Sequence, residues 1–204
     1  MLTPDEHAAV VKLYEDRFRV LGEDVTTLGW KNREEQALRF KVLCEVGDLR
    51  GATVCDVGCG FGDLLDHLQG TVRPSDYTGL DIAPSLIERA RQRHPTATFH
   101  CVNLAAGDYD EPSDYFLLSG ALTYKVHDNV ALAARMVERM FALARKGVAV
   151  NFLTSYVNYR LDRNHHYSPE EMFGVARGLT RWVKLRHDYP LWEFTLYLYK
   201  EAQA

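Results

Sequence analysis

Between Thr53 and Asp63 the chain reads Thr53-Val54-Cys55-Asp56-Val57-Gly58-Cys59-Gly60-Phe61-Gly62-Asp63. Thr53 to Val57 is a short apolar run of the kind that forms a strand buried on both faces, and Asp63 to Leu68 continues as a short helix. The glycines stand at alternate positions in the turn between them. Lacking Cβ atoms, they let backbone approach a ligand closely, and the first turn of the following helix offers free N–H groups. A tight strand-to-helix turn alone would not need three glycines beside a strand-terminal acid. The dinucleotide pattern GxGxxG would put its third glycine at position 63, where this chain has Asp63. A carboxylate there would face a pyrophosphate. Asp56, before the glycines, suits instead a ligand that carries ammonium and sulfonium charges.

Outward from that turn, strand and helix alternate. Tyr77-Thr78-Gly79-Leu80-Asp81 reads as a second strand, followed by a helix with Pro84 near its start. Thr98 to Val102 and Tyr115 to Leu118 read as the third and fourth strands. A helix after Asn129 carries Val130, Ala133, Val137, Met140 and Phe141 on one face and is expected to stop at Gly147; Val148 to Leu153 is the fifth strand. Such alternation predicts a doubly wound α/β fold with a mostly parallel sheet. After a helix opened by Ser168-Pro169, Thr180 to Arg186 and Leu191 to Tyr199 are two strands joined through Asp188-Tyr189-Pro190, a connection short enough to require an antiparallel hairpin. Upstream, Thr3-Pro4-Asp5-Glu6 is a capping box opening an amphipathic helix that ends near Gly22, and a second helix runs through Gln36, Phe40 and Leu43. The expectation is one domain over 1–204: a helical cap over 1–50, a ligand-binding core over 51–153, and an acceptor-side loop, helix and hairpin over 154–204.

Asp81 ends the second strand, where an acid accepts hydrogen bonds from a ribose diol or caps the helix at Pro84. Asn103 follows the third strand, where an amide both donates to and accepts from an adenine edge. From Val54 to Leu122 the chain resembles the class I S-adenosylmethionine-dependent methyltransferases. The resemblance rests on Asp56-Val57-Gly58-Cys59-Gly60-Phe61-Gly62, Tyr77-Thr78-Gly79-Leu80-Asp81-Ile82 and Val102-Asn103-Leu104. It implies a seven-stranded sheet whose last strand is reversed, and S-adenosylmethionine as cofactor. The cofactor's methionine part would lie at Asp56, Gly58, Cys59, Gly60 and Gly62, its ribose at Asp81 and Ile82, and its adenine between Asn103 and Leu104. The family usually has Asp where this chain has Asn103. Ser119 and Gly120, after the fourth strand, are expected to line the same cleft, and Trp30 and Arg39 to close over it. The whole chain, including Gly29-Trp30 and His187-Asp188-Tyr189-Pro190, is similar to bacterial proteins described only as methyltransferases.

Composition narrows the partners. With 47% hydrophobic and 25% charged residues the chain is of ordinary globular make-up, and a net charge of −4 argues against a broad nucleic-acid surface. Ser119-Gly120-Ala121-Leu122 stands where class I enzymes acting on exocyclic base amines have an Asn or Asp followed by Pro-Pro and an aromatic; the nucleophilic Cys of cytosine-C5 enzymes is also missing there. No apolar run reaches the roughly 20 residues that cross a bilayer, and Met1 to Glu6 has neither the basic nor the apolar part of a signal peptide, so a cytoplasmic protein is expected. Cys44, Cys55, Cys59 and Cys101 form no CxxC pair; Cys55 and Cys101 are expected inside buried strands, and no metal site is expected.

The predicted reaction is methyl transfer from S-adenosylmethionine to an O, N or S atom of a small molecule. An S-adenosylmethionine-binding module without catalysis and a nicotinamide-dependent oxidoreductase are the competing readings. Tyr124, His127 and His166 are the candidate general bases. Tyr124, His127 and the segment Tyr156–Tyr167, with Tyr159, Arg160 and His165, are expected around the acceptor, because ligands bind at the carboxyl ends of such strands.

Overall fold

A computed structural model describes residues 1–203. Its elements follow in the order α1 (Pro4–Leu21), α2 (Arg33–Leu43), β1 (Val54–Val57), α3 (Asp63–His67), β2 (Tyr77–Asp81), α4 (Pro84–Arg93), β3 (Thr98–Cys101), β4 (Ser113–Leu118), α5 (Asn129–Leu143), β5 (Ala144–Leu153), α6 (Pro169–Leu179), β6 (Val183–Arg186) and β7 (Glu193–Tyr199). The seven strands form one sheet in the order β3-β2-β1-β4-β5-β7-β6. β1 pairs in parallel with both β2 and β4, and β7 runs antiparallel between β5 and β6. This is the doubly wound sheet with a terminal hairpin that the alternation predicts.

Strand alternation sorts the apolar residues to two faces. Phe116 and Leu118 of β4 join Val137 and Met140 of α5 on one side; Tyr115 and Leu117 join Leu43, Leu64 and Ile87 on the other. Each such fully buried side chain contributes about 1.5–3 kcal/mol. Caps act where the sequence places them. Glu6 N–H donates to Thr3 Oγ1 at 3.2 Å while Thr3 N–H donates to Glu6 Oε2 at 2.8 Å, and Ser168 Oγ accepts from Glu171 N–H at 3.2 Å.

Several boundaries differ from expectation. α5 ends at Leu143, and Gly147 lies inside β5, where an added Cβ would stand 3.0 Å from the Leu198 carbonyl oxygen of β7. That glycine admits a neighbouring strand rather than stopping a helix. β6 and β7 are shorter than the expected Thr180–Arg186 and Leu191–Tyr199, each starting later in the chain; at the start of the first, Thr180 turns back to donate its hydroxyl to the Tyr199 carbonyl at 3.0 Å. Cys55 is buried but Cys101 is exposed, since β3 is an edge strand. The two N-terminal helices also part company. α1 reaches the C-terminal ends of the strands, where Glu15 accepts from Ser85 N–H at 3.0 Å and Phe18 packs on Phe61. α2 belongs to the layer on one sheet face, with the Tyr197 hydroxyl donating to the Val42 carbonyl at 2.6 Å. Among the described residues no helix is long and apolar enough to cross a membrane.

Candidate active site

In this strand order the chain leaves β1 toward β2 and β3 on one side, and β4 and β5 extend on the other, so the loops after β1 and β4 diverge and open a crevice. The residues lining it include Asp56, Gly58, Cys59, Gly60, Asp81, Ile82, Asn103, Leu104, Ser119, Gly120 and Trp30. The loop after β1 is held at its base, where Gly58 and Cys59 N–H both donate to the Leu80 carbonyl, at 2.7 and 3.0 Å. Gly58 has φ +75°, and a Cβ there would collide with Ala121. The glycine therefore serves both the turn and the close approach of the two loops. Gly62, with φ +80°, starts α3 but does not line the crevice; a Cβ on it would meet His94 beneath. Its part is in the turn.

Two carboxylates face the crevice from adjacent strands. Asp56 is 3% exposed and accepts the Tyr77 hydroxyl at 2.5 Å. Burial pushes its carboxyl up to about 7, against the pull of that hydrogen bond. Asp81 accepts from Gly60 N–H at 3.0 Å through Oδ2 and from Ala83 N–H at 2.9 Å through Oδ1. It thus ties the glycine loop to the start of α4, and burial raises its carboxyl too. Each oxygen keeps a lone pair for a ligand hydroxyl. Asp63 also lines the crevice, but Gln36 Nε2 at 2.9 Å and the Arg93 guanidinium at 2.6 Å hold it. Ser119 Oγ is buried there without a hydrogen-bond partner among the described residues.

Arg39 is not where the sequence reading puts it. Its guanidinium lies outside the crevice and donates to Glu193 Oε1 of β7, from Nε at 2.6 Å and Nη2 at 2.5 Å. Glu193 Oε2 in turn accepts from Asn151 Nδ2 at 3.2 Å, and Asn151 Oδ1 accepts from Gly120 N–H at 3.0 Å. A buried polar relay therefore runs from α2 through β7 and β5 to the peptide of Gly120. The Trp30 ring closes it from above: it lies 4.6 Å from the Arg39 guanidinium carbon and rests against Gly120, which has φ +76°.

Of the three candidate bases, Tyr124 lines the crevice. His127 is exposed and contributes only its backbone N–H, to Glu6 Oε1 of α1 at 2.6 Å; His166 Nδ1 lies 2.9 Å from the Thr154 carbonyl. The segment after β5 divides in the same way. Tyr156 and Tyr159 are exposed, Tyr156 donating to Glu170, and Arg160 turns back to the Ser155 carbonyl at 3.0 Å. Leu161, Arg163 and Asn164 face a second cavity beside the crevice, which His165 and His166 do not line. Crevice residues that the sequence reading passed over include Val10 and Tyr14 of α1, Gln36, Val126 and Met136. Val10 and Tyr14 sit on the apolar stripe of α1, which reads equally as a face packed on a core. Among the described residues no cluster of three or more His, Cys, Asp or Glu is arranged to hold a metal ion.

Residues 54–153 match the family defined as the methyltransferase domain. A Mycobacterium tuberculosis protein named only as a methyltransferase is 32% identical over 160 residues, which cover 74% of this chain and 94% of that protein. The chain belongs to the class I S-adenosylmethionine-dependent methyltransferases. Its fold is that of the Synechocystis magnesium protoporphyrin IX methyltransferase solved with S-adenosylhomocysteine, at TM-score 0.68 and 18% identity, covering 96% of this chain and 99% of that one. It is also that of the Burkholderia thailandensis 1,6-didemethyltoxoflavin-N1-methyltransferase, at TM-score 0.67 and 21% identity over 98% and 91% of the two chains. At these identities the likenesses carry the fold alone.

Proposed function

We propose that this methyltransferase holds S-adenosylmethionine in the crevice and passes its methyl group to an O, N or S atom of a small molecule. The observation that carries the reading is the series Asp56, Asp81, Asn103 and Ser119-Gly120, one set from each successive strand end, around a single crevice. The residues fit the cofactor group by group. Asp56 offers a carboxylate to an ammonium, Asp81 offers free lone pairs to a ribose diol, and Asn103 with Leu104 offers an amide and an apolar face to adenine. The unpartnered Ser119 Oγ is a further polar group available to the ligand.

When bound, the cofactor supplies a methyl carbon already activated by its positive sulfur, so the chain's task is placement. Trp30 and Tyr14 from the N-terminal region cover the crevice and exclude water, and the Arg39–Glu193–Asn151 relay fixes Gly120 beneath Trp30. Of the three candidate bases Tyr124 is the one that lines the crevice, and its side chain offers a hydroxyl to hydrogen-bond a protic acceptor. A small-molecule acceptor is supported by the partly aromatic cavity beyond Trp30 and by the chain's net charge of −4. Titration calorimetry with S-adenosylhomocysteine tests the reading. Wild type is expected to bind it, with NAD much weaker, and Asp81→Ala to lose about 10- to 100-fold in affinity, the worth of one or two charge-assisted hydrogen bonds. Tight NAD binding with no response to the sulfur nucleoside would overturn it. Conversion of S-adenosylmethionine to S-adenosylhomocysteine with a metabolite mixture separates an enzyme from a binding module.

A further inference from the structure

A second cavity adjoins the crevice, and Tyr14, Leu28, Trp30, Gly120 and Tyr124 line both. Four cationic side chains, Arg17, Lys31, Arg39 and Arg163, stand around it against two acids, Glu35 and Glu193. Both acids are answered: Lys31 pairs with Glu35 at 3.3 Å and Arg39 with Glu193 at 2.5 Å. Arg17 and Arg163 are left over. Neither guanidinium has a carboxylate or hydrogen-bond partner among the described residues, although Arg17 leans on the Tyr14 ring at 5.7 Å. Arg39, only 9% exposed, also keeps Nη1 buried without a partner. A single unpaired surface arginine is ordinary. Here two of them, from α1 and from the segment after β5, meet at one cavity of a protein that is acidic as a whole.

Apart from Thr123 and Asn164, the remaining walls are apolar or aromatic, among them Leu13, Leu153 and Leu161 with Tyr14, Trp30 and Tyr124. Flat rings suit a planar body, and planar guanidinium forks suit an anionic group whose oxygens accept paired hydrogen bonds. We propose that this cavity is the acceptor site and that its ligand is a small aromatic anion, its carboxylate or phosphate held by Arg17 and Arg163. The proposal rests on the methyl-transfer reading, because it takes the shared wall of Trp30, Gly120 and Tyr124 as the junction between cofactor and acceptor. Asn164 and Arg39, whose Nη1 alone has no partner among the described residues, also line the cavity.

The test uses full-length protein saturated with S-adenosylhomocysteine, titrated calorimetrically with benzoate, 4-hydroxybenzoate, phenyl phosphate and the neutral benzamide. At least one anion is expected to bind, with benzamide about 10-fold weaker or worse, and the preferred anion identifies the headgroup. Arg17→Gln and Arg163→Gln should each weaken the anion about 5- to 10-fold, and S-adenosylhomocysteine affinity should stay within about twofold, since neither residue lines the crevice. Trp30 emission should respond to the anion in wild type and respond less in the variants. Benzamide binding as tightly as the anions, full affinity in both variants, or no binding by any probe overturns the proposal and leaves the cofactor reading intact. Failure of wild type to bind S-adenosylhomocysteine at all overturns the reading beneath it.

Discussion

Acidification should release the cofactor, and Asp56 sets the pH at which it does. Its carboxyl is buried at the end of β1, is held by the Tyr77 hydroxyl, and is raised by burial to about 7. Pairing with a ligand ammonium requires the ionised form. The free-amino-acid groups of S-adenosylhomocysteine keep one charge state across the neutral range, so the change in affinity falls on the protein. For a single group the apparent Kd scales as 1 + 10^(pKa − pH), which gives a loss of roughly 30-fold between about pH 8 and about pH 5.5. The sign in the ligand-free protein is opposite. A carboxyl raised by burial holds its proton more tightly folded than unfolded, so the stability it contributes is present at low pH and is lost as pH rises through about 7. Asp56→Asn should remove both dependences. The variant should bind about 10- to 100-fold more weakly above pH 7, for want of one charge-assisted hydrogen bond, and its melting temperature should no longer fall between about pH 4 and about pH 7. Calorimetric titrations of wild type and variant at five pH values, with a thermal melt at each, measure these together. A pH-independent wild-type Kd, or an unchanged pH slope in Asp56→Asn, would refute the assignment; the second result would place the titration on another crevice group such as Asp81, whose carboxyl burial also raises.

Two further outcomes are expected. Glu193→Gln should cost about 3 kcal/mol or more in urea unfolding, because it leaves Arg39, 9% exposed, as a buried cation without its acid; a loss under about 1 kcal/mol would mean the pair is solvated. Gly120→Ala should shift tryptophan emission and weaken S-adenosylhomocysteine binding, since φ +76° strains any Cβ and that Cβ would displace the Trp30 ring, whereas Gly70→Ala, at φ +77° in open space, should pay only the strain and bind normally.

What was legible in the sequence is what is local. The strand at Val54–Val57, the glycines after it and Asp81 lie within one β-α-β unit, and their roles follow from neighbours a few residues away. The terminal hairpin is legible for the same reason, its connection being too short for a crossover. Gly147 is local as well, but two local rules compete at it. A glycine after an apolar helical face usually ends the helix, yet here the helix has already ended at Leu143, and the glycine answers to β7, which arrives from fifty residues downstream. Cys101 fails differently: its apolar surroundings in sequence mark a strand but do not say that the strand is the sheet's edge.

The proposed acceptor side is less legible in the sequence, because its residues come from distant segments. Arg39 reads as a lid residue until Glu193, 154 positions away, takes its guanidinium. Asn151, a polar residue within the fifth strand, accepts from Gly120 N–H, 31 positions away. Arg17, Trp30 and Arg163 belong to three segments that no periodicity connects, and they share one cavity. The division has a physical basis. The cofactor half needs backbone close to a ligand, and backbone conformation is written in short glycine-rich words. An acceptor pocket needs side chains brought from separate elements at chosen distances, and that depends on how α1, β7 and the segment after β5 pack. Substitutions at Arg17, Trp30 or Arg163 could therefore retune the acceptor without disturbing the turn at Asp56–Gly62, which is why a family resemblance carried by that turn identifies the methyl donor and leaves the acceptor open.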